Sequence, residues 1–127
     1  MDAQQEYFTA LKLGMEAKGY AVYDGALPPD GTPYPFIYLG DFRQSDRELK
    51  NAVTGTVYPT VHVFHNNVRE RGVVSTMLLD IKITFREIAK TKNFAWLVRN
   101  ITSQVFADDT TKAPLLHGVV EAECLFS

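Results

Sequence analysis

The stretch RGVVSTMLLDIKITFREIAK, residues 71–90, decides the architecture. Within it Val74, Met77, Leu78, Ile81, Phe85 and Ile88 recur on one side of a helix. Its many β-branched residues make intrinsic helix propensity weak, so burial of that apolar side against a sheet must supply most of its stability. The flanking segments provide such a sheet.

Downstream, residues 94–107 and 116–126 read as extended and are joined by the turn-rich DDTTKAP, which makes them a closing hairpin. In the last strand Val120, Ala122, Cys124 and Phe126 form an apolar row while Glu121 and Glu123 point the other way, the alternation of a sheet covered on one face. Upstream, PFIYL at residues 35–39 and TVYPTVHVFH at residues 56–65 are rich in β-branched and aromatic residues and read as strands. In the second of these Tyr58, Thr60, His62 and Phe64 share one face, and Pro59, Val61, Val63 and His65 the other. Pro59 cannot donate to a ladder and favours an edge or a strand end. Between the two lies GDFRQSDRELKNAVTG, residues 40–55, polar and without a sustained period, which reads as a long connection.

The chain opens on a helix over residues 2–18. Asp2 is its N-cap with Gln5 three residues on, Phe8, Leu11 and Met15 recur at helical spacing, and Gly19 ends it. Gly14 weakens its middle by about 1 kcal/mol relative to alanine. A short extended piece at residues 20–23 leads into DGALPPDGTPYP, residues 24–35, whose four prolines and two glycines mark a loop. The order is helix, short strand, two strands, helix, two strands. It implies one α+β domain over residues 1–127, a mainly antiparallel sheet of four to five strands packed against two helices.

With 127 residues and 46% apolar content the chain can bury one core and little more. Thirteen basic and fifteen acidic residues give a formal charge of −2, with no long block of either sign, against a general nucleic-acid or membrane binder. No apolar run approaches the roughly 18 residues of a membrane span, and MDAQQEYF lacks the basic and then apolar character of a signal peptide. Cys124 is the single cysteine, so neither an internal disulfide nor a cysteine metal cluster can form. These features suit a chain that stays in the cytosol where it is made.

Residues able to carry chemistry are few. His62 and His65, three apart in a strand, leave opposite faces and cannot jointly grip a metal, and His117 stands alone far along the chain. They read as surface or partly buried sheet histidines. Cys124, between Ala122 and Phe126, reads as core filling. Gly72 opens a helix without a phosphate-binding pattern, and Asp108 and Asp109 are ordinary turn formers. No catalytic, cofactor-binding or metal-ligating residue is assigned, and the chain reads as a non-enzyme.

Two charged clusters remain. Arg43, Arg47 and Lys50 lie in the long connection, interleaved with Asp46 and Glu48, and Arg69 and Arg71 precede the second helix. As plain surface they are solvated; as a functional feature they form salt-bridged contacts between subunits, because arginine pairs well with carboxylates at interfaces. Acidic neighbours, Asp41 and Glu70 included, dilute any nucleic-acid signal.

Taken together, YPFIYLGDF, the polar connection, TVYPTVHVFHNNVRERGVVSTMLLDIK and the closing HGVVEAECLF resemble the tail-completion proteins of long-tailed phages, the head-to-tail joining family that includes tail terminators. The corresponding positions are Pro35 to Gly40, Val61 to His65, Ser75 to Met77, and His117 with Gly118, covering nearly the whole chain in order. Its second helix is more β-branched, and its middle connection differs. The resemblance implies a virion subunit, assembled in the host cytoplasm, that forms a six-membered ring on the last ring of tail tube. Such a ring stops tube growth and meets the head connector. Its partners would be further copies of itself, the tail tube protein and a head-closure protein, with no cofactor, no membrane and no specific nucleic acid. The other reading the residues allow is a small α+β adaptor that binds proteins through its prolyl loop.

Overall fold

The structure is a computed structural model that describes residues 1–49, 52–108 and 113–127. In chain order it contains α1 (Ala3–Ala17), β1 (Val22–Asp24), β2 (Phe36–Leu49), β3 (Ala52–His65), α2 (Arg71–Glu87), β4 (Trp96–Asp108) and β5 (Leu115–Phe126). The strands form one sheet in the order β1-β2-β3-β5-β4. Only the β1–β2 pair is parallel; the others are antiparallel. The fold class is the α+β arrangement expected.

Both helices cover the same face. From the sheet, Ile37, Leu39, Val57, Val61, Val63, Leu116, Val120, Cys124 and Phe126 point into a core shared with Tyr7, Leu11 and Met15 of α1 and Val74, Met77, Leu78, Ile81 and Phe85 of α2. The apolar stripe of α2 is therefore buried as its period requires, except that the helix stops at Glu87 and leaves Ile88 as an extended, partly buried C-cap. At the start of α1 the Asp2 carboxylate accepts from the Gln5 amide at 3.0 Å, the cap anticipated from sequence. Gly19, at φ +93°, ends the helix. Gly14 has a packing reason: a Cβ there would lie 2.7 Å from Thr84 Cγ2, so the glycine lets α1 approach α2.

Glu6 ties α1 to the segment between α2 and β4. Its carboxylate accepts from Thr91 Oγ1 at 2.7 Å, the Asn93 amide at 3.0 Å and Asn93 Nδ2 at 2.6 Å. These donors favour the ionised form and hold its carboxyl below the usual range. Cys124 is buried, as core filling should be, and burial pushes its thiol up to about 12.

Three expectations are corrected. Residues 40–49 and 52–55, expected as a loop, are strand: β2 and β3 run through them as a long antiparallel ribbon, paired from Phe42↔Pro59 to Leu49↔Ala52. Outer segments of the ribbon have both faces wet, so no apolar alternation marks them, and cross-strand hydrogen bonds supply the order. Pro59 lies inside a central strand, not at an edge or end. It sits beside the register shift between Leu39 and Phe42, and a bulge is the setting in which a ladder tolerates a residue without an N–H. The first short strand begins at Val22 and the fourth at Trp96, each two residues later than the sequence suggested. The expected turn residues 109–112 fall outside the described residues.

Candidate interaction surfaces

The ribbon carries the first charged cluster. Past the bulge Phe42 faces the helices, with its ring 5.4 Å from that of Phe8, so Arg43, Ser45 and Arg47 project from the uncovered face and Gln44, Asp46 and Glu48 from the helix face. Arg43 lies over the Tyr58 ring at 4.0 Å. On the other side Gln44 Nε2 donates to Asp46 Oδ1 at 2.6 Å. Arg43, Asp46, Arg47 and Glu48 are all exposed. Lys50 lies outside the described residues. β5 accompanies β3 only as far as Gly55↔Phe126, so the pairs from Arg47↔Thr54 to Leu49↔Ala52 extend beyond β5 as a projecting tip.

Arg69 and Arg71 are elsewhere. β3 runs 14 residues, roughly 45 Å at strand rise, from the ribbon tip to His65, and these arginines follow its far end. Arg69 donates its amide to Asn67 Oδ1 at 3.0 Å, Arg71 is the first residue of α2, and both are exposed. The structure thus separates the two clusters that the sequence offered as one kind of interface.

A feature the sequence did not disclose lies on the uncovered sheet face. Phe36, Phe64, His117 and Phe106 form a row across four strands, with ring centroids 5.5 Å apart for Phe36–Phe64, 4.4 Å for Phe64–His117 and 4.7 Å for Phe106–His117. His62 lies diagonally from His117, and its Nδ1 is 2.8 Å from His117 Nε2. His117 therefore does not stand alone. With both rings neutral, one N–H donates to the other ring's lone pair. Burial pushes both imidazoles below their ordinary value, and for His117 the neighbouring His62 adds to the shift. His65 is on the opposite face, buried, with Nε2 2.9 Å from Glu70 Oε1. The His62–His117 meeting depends on cross-strand register, which pairs Phe64 with His117 and His62 with Val119. Among the described residues no group of three or more His, Cys, Asp or Glu side chains could hold a metal ion.

Among the described residues two strand edges carry long unpaired stretches. On β2, β1 covers only Ile37–Leu39, and the Phe42 carbonyl accepts from Gln4 Nε2 at 2.7 Å, which leaves the edge from Arg43 to Leu49 open. At the opposite side of the sheet β4 pairs with β5 along one edge only.

No family model matches the sequence, and no curated protein matches it. Solved structures do. A chain of the virion of a native gene transfer agent particle superposes with a TM-score of 0.67 at 14% identity, over 98% of this chain and 93% of that one. A second solved chain superposes with a TM-score of 0.60 at 14% identity, over 98% of this chain and 96% of that one. At this identity the likeness is one of fold, and it extends over nearly the full length of both proteins.

Proposed function

We propose that the chain is a structural, non-enzymatic virion subunit of phage type that closes the head-proximal end of a tail as a ring, ends tube growth and joins the tail to the head connector. The observation that carries this reading is the β2–β3 ribbon, an extension rich in exposed charge that runs past the end of β5 and can reach an adjoining copy. The fold shared with a chain of a gene transfer agent virion supports it, as does the order of motifs resembling tail-completion proteins. A ring is built from heterologous contacts, in which one surface of each copy meets a different surface of the next and the rotation closes. The two open sheet edges lie on opposite sides of the molecule, as such contacts require. Six copies, a tail tube partner and a head-closure partner are what the resemblance implies.

Deleting the gene in a lysogen and imaging the products tests the proposal. Filled heads beside unattached tails, or tails of uncontrolled length, are expected. Normal infectious particles would reject it.

A further inference from the structure

The geometry points to a specific joint between copies: the open edge of β4 at Ser103, Val105 and Ala107 receives, antiparallel, the open edge of β2 at Gln44, Asp46 and Glu48 of a second copy. This inference rests on the ring reading and supplies its interface.

The backbone groups left unpaired among the described residues decide which edges can join. In an antiparallel ladder the N–H and C=O of one residue point to the same neighbour, and the direction alternates along the strand. Ala95 and Ser127 exchange both amide bonds, at 3.0 and 3.1 Å, so odd-numbered residues of β5 face β4. Through the register Thr102↔Glu121, Gln104↔Val119 and Phe106↔His117, residues 102, 104 and 106 spend their backbone groups on β5. Ser103, Val105 and Ala107 then direct theirs outward. The same alternation carried through β3 pairs Arg43, Ser45 and Arg47 with β3 and turns Gln44, Asp46 and Glu48 outward, in agreement with the outward Phe42 carbonyl that Gln4 occupies.

These two edges match in three respects. First, outward backbone coincides with helix-face side chains on both, so joining them continues the ladder and keeps each face of the sheet on its own side. Second, β2 runs antiparallel to β4 within the sheet, so a copy rotated about an axis inclined to the strands presents β2 to β4 in the antiparallel sense. Across the sheet Asp46 lies level with Trp96 through Gly55 and Phe126, so the joint offsets neighbouring copies by about eight residues along the strands, and a ring built on it has strands tilted from its axis, as in a closed barrel.

Third, the charges are complementary on both faces. On the helix face a groove of about 340 Å³ runs beside the β4 edge, lined by Ser75, Leu79 and Lys82 of α2 with Ser103 and Val105. Asp46 and Glu48 of the incoming strand would enter it beside Lys82, and Leu79, 53% exposed, would be covered. On the other face the same register sets Arg47 opposite Gln104, diagonally toward exposed Glu121, the partner of Thr102, and Arg43 opposite Asp108. The receiving edge also lacks the usual protections. From Thr102 to Ala107, TSQVFA has no charge and no proline, which for an exposed strand is a template for pairing.

The test uses the purified full chain and its mass distribution by sedimentation and native mass spectrometry. Asp46→Pro removes one outward N–H from the donor edge, and Ser103→Pro one from the receiving edge; each spares the internal ladder. Each variant alone is expected to stay monomeric with an unchanged circular dichroism spectrum. An equimolar mixture is expected to give a 1:1 dimer and nothing larger, because it holds one intact joint per pair. Assembly of either variant like the parent chain, or a mixture that stays monomeric, overturns the joint.

Exposed charge changes decide the matter if a proline variant unfolds. Lys82→Glu should weaken association by about tenfold through like-charge contact, and adding Asp46→Lys with Glu48→Lys in the same chain should restore it. Unchanged association in Lys82→Glu, or no recovery in the combined variant, overturns the joint. Should the parent chain fail to associate at any concentration, this joint is overturned, while the assignment to the tail end stands or falls on the deletion phenotype.

Discussion

Gly55 is where the ribbon meets the body of the sheet, and replacing it by alanine is a quantitative test of that geometry. A Cβ at this position would fall against the carbonyl oxygen of Ser45 and lie 2.8 Å from Phe126 Cζ. The first of these is backbone of the paired strand and cannot rotate away; the second belongs to a ring packed against Phe94 and Trp96, at centroid distances of 5.2 and 5.5 Å. Overpacking of this kind costs about 1–3 kcal/mol. Alanine recovers roughly 0.5–1 kcal/mol of the conformational entropy that glycine loses on folding into a strand. A net loss of about 1–2 kcal/mol follows. With an unfolding entropy of about 0.27 kcal/mol/K for 127 residues, the midpoint of thermal unfolding should fall by roughly 4–8 °C. Gly72→Ala provides the contrast, since that Cβ meets nothing within 4 Å, and α2 should gain up to about 1 kcal/mol. Differential scanning calorimetry on the two variants reads both signs. A Gly55→Ala protein as stable as the parent, or more so, would refute the close approach of Ser45 and Phe126 to Gly55.

Other perturbations probe the core and the titrating groups. Phe85→Ala removes a fully buried ring stacked on Tyr7 at 6.2 Å and should cost about 3–5 kcal/mol, read as a lower urea midpoint with little change of slope. Glu6 has a folded pKa below its ordinary 4.5, so its contribution to stability is present above that value and lost as pH falls through the lowered one; Glu6→Gln should flatten the loss of stability below about pH 4.5. The His62–His117 pair has folded values below the ordinary 6.5, despite the opposing pull of Asp41, Glu121 and Asp108, so the unfolded chain takes up protons first as pH falls. Stability present above about pH 6.5 should therefore decline below it, and His117→Gln should reduce that decline in urea titrations at about pH 7.5 and pH 5.5. Arg43→Glu with Arg47→Glu should weaken assembly while leaving circular dichroism unchanged, because exposed charges contribute little to folding.

What could be read from the sequence follows where water is excluded. The apolar stripe of α2 and the row Val120, Ala122, Cys124 and Phe126 each have one dry face, so periodicity located both elements and their orientation. Asp2 and Gly19 located the ends of α1 through local backbone chemistry alone. The ribbon escaped because Arg43 to Leu49 is wet on both faces, and nothing in a polar run separates a strand from a loop until the partner strand is known. His62 and His117 escaped for a related reason: their meeting depends on the register of β3 against β5, a pairing 55 residues apart in sequence. Of the proposed interface residues, Arg43, Asp46, Arg47 and Glu48 share one ribbon, whereas Arg69 and Arg71 belong to the far end of the sheet.

Locating and counting the chain in purified particles by cryo-electron microscopy tests the central proposal most directly. Six copies in one closed layer between tail tube and head connector, sheet joined edge to edge around the layer, are expected. Particles that are complete and infectious yet contain no copy of this chain would contradict it.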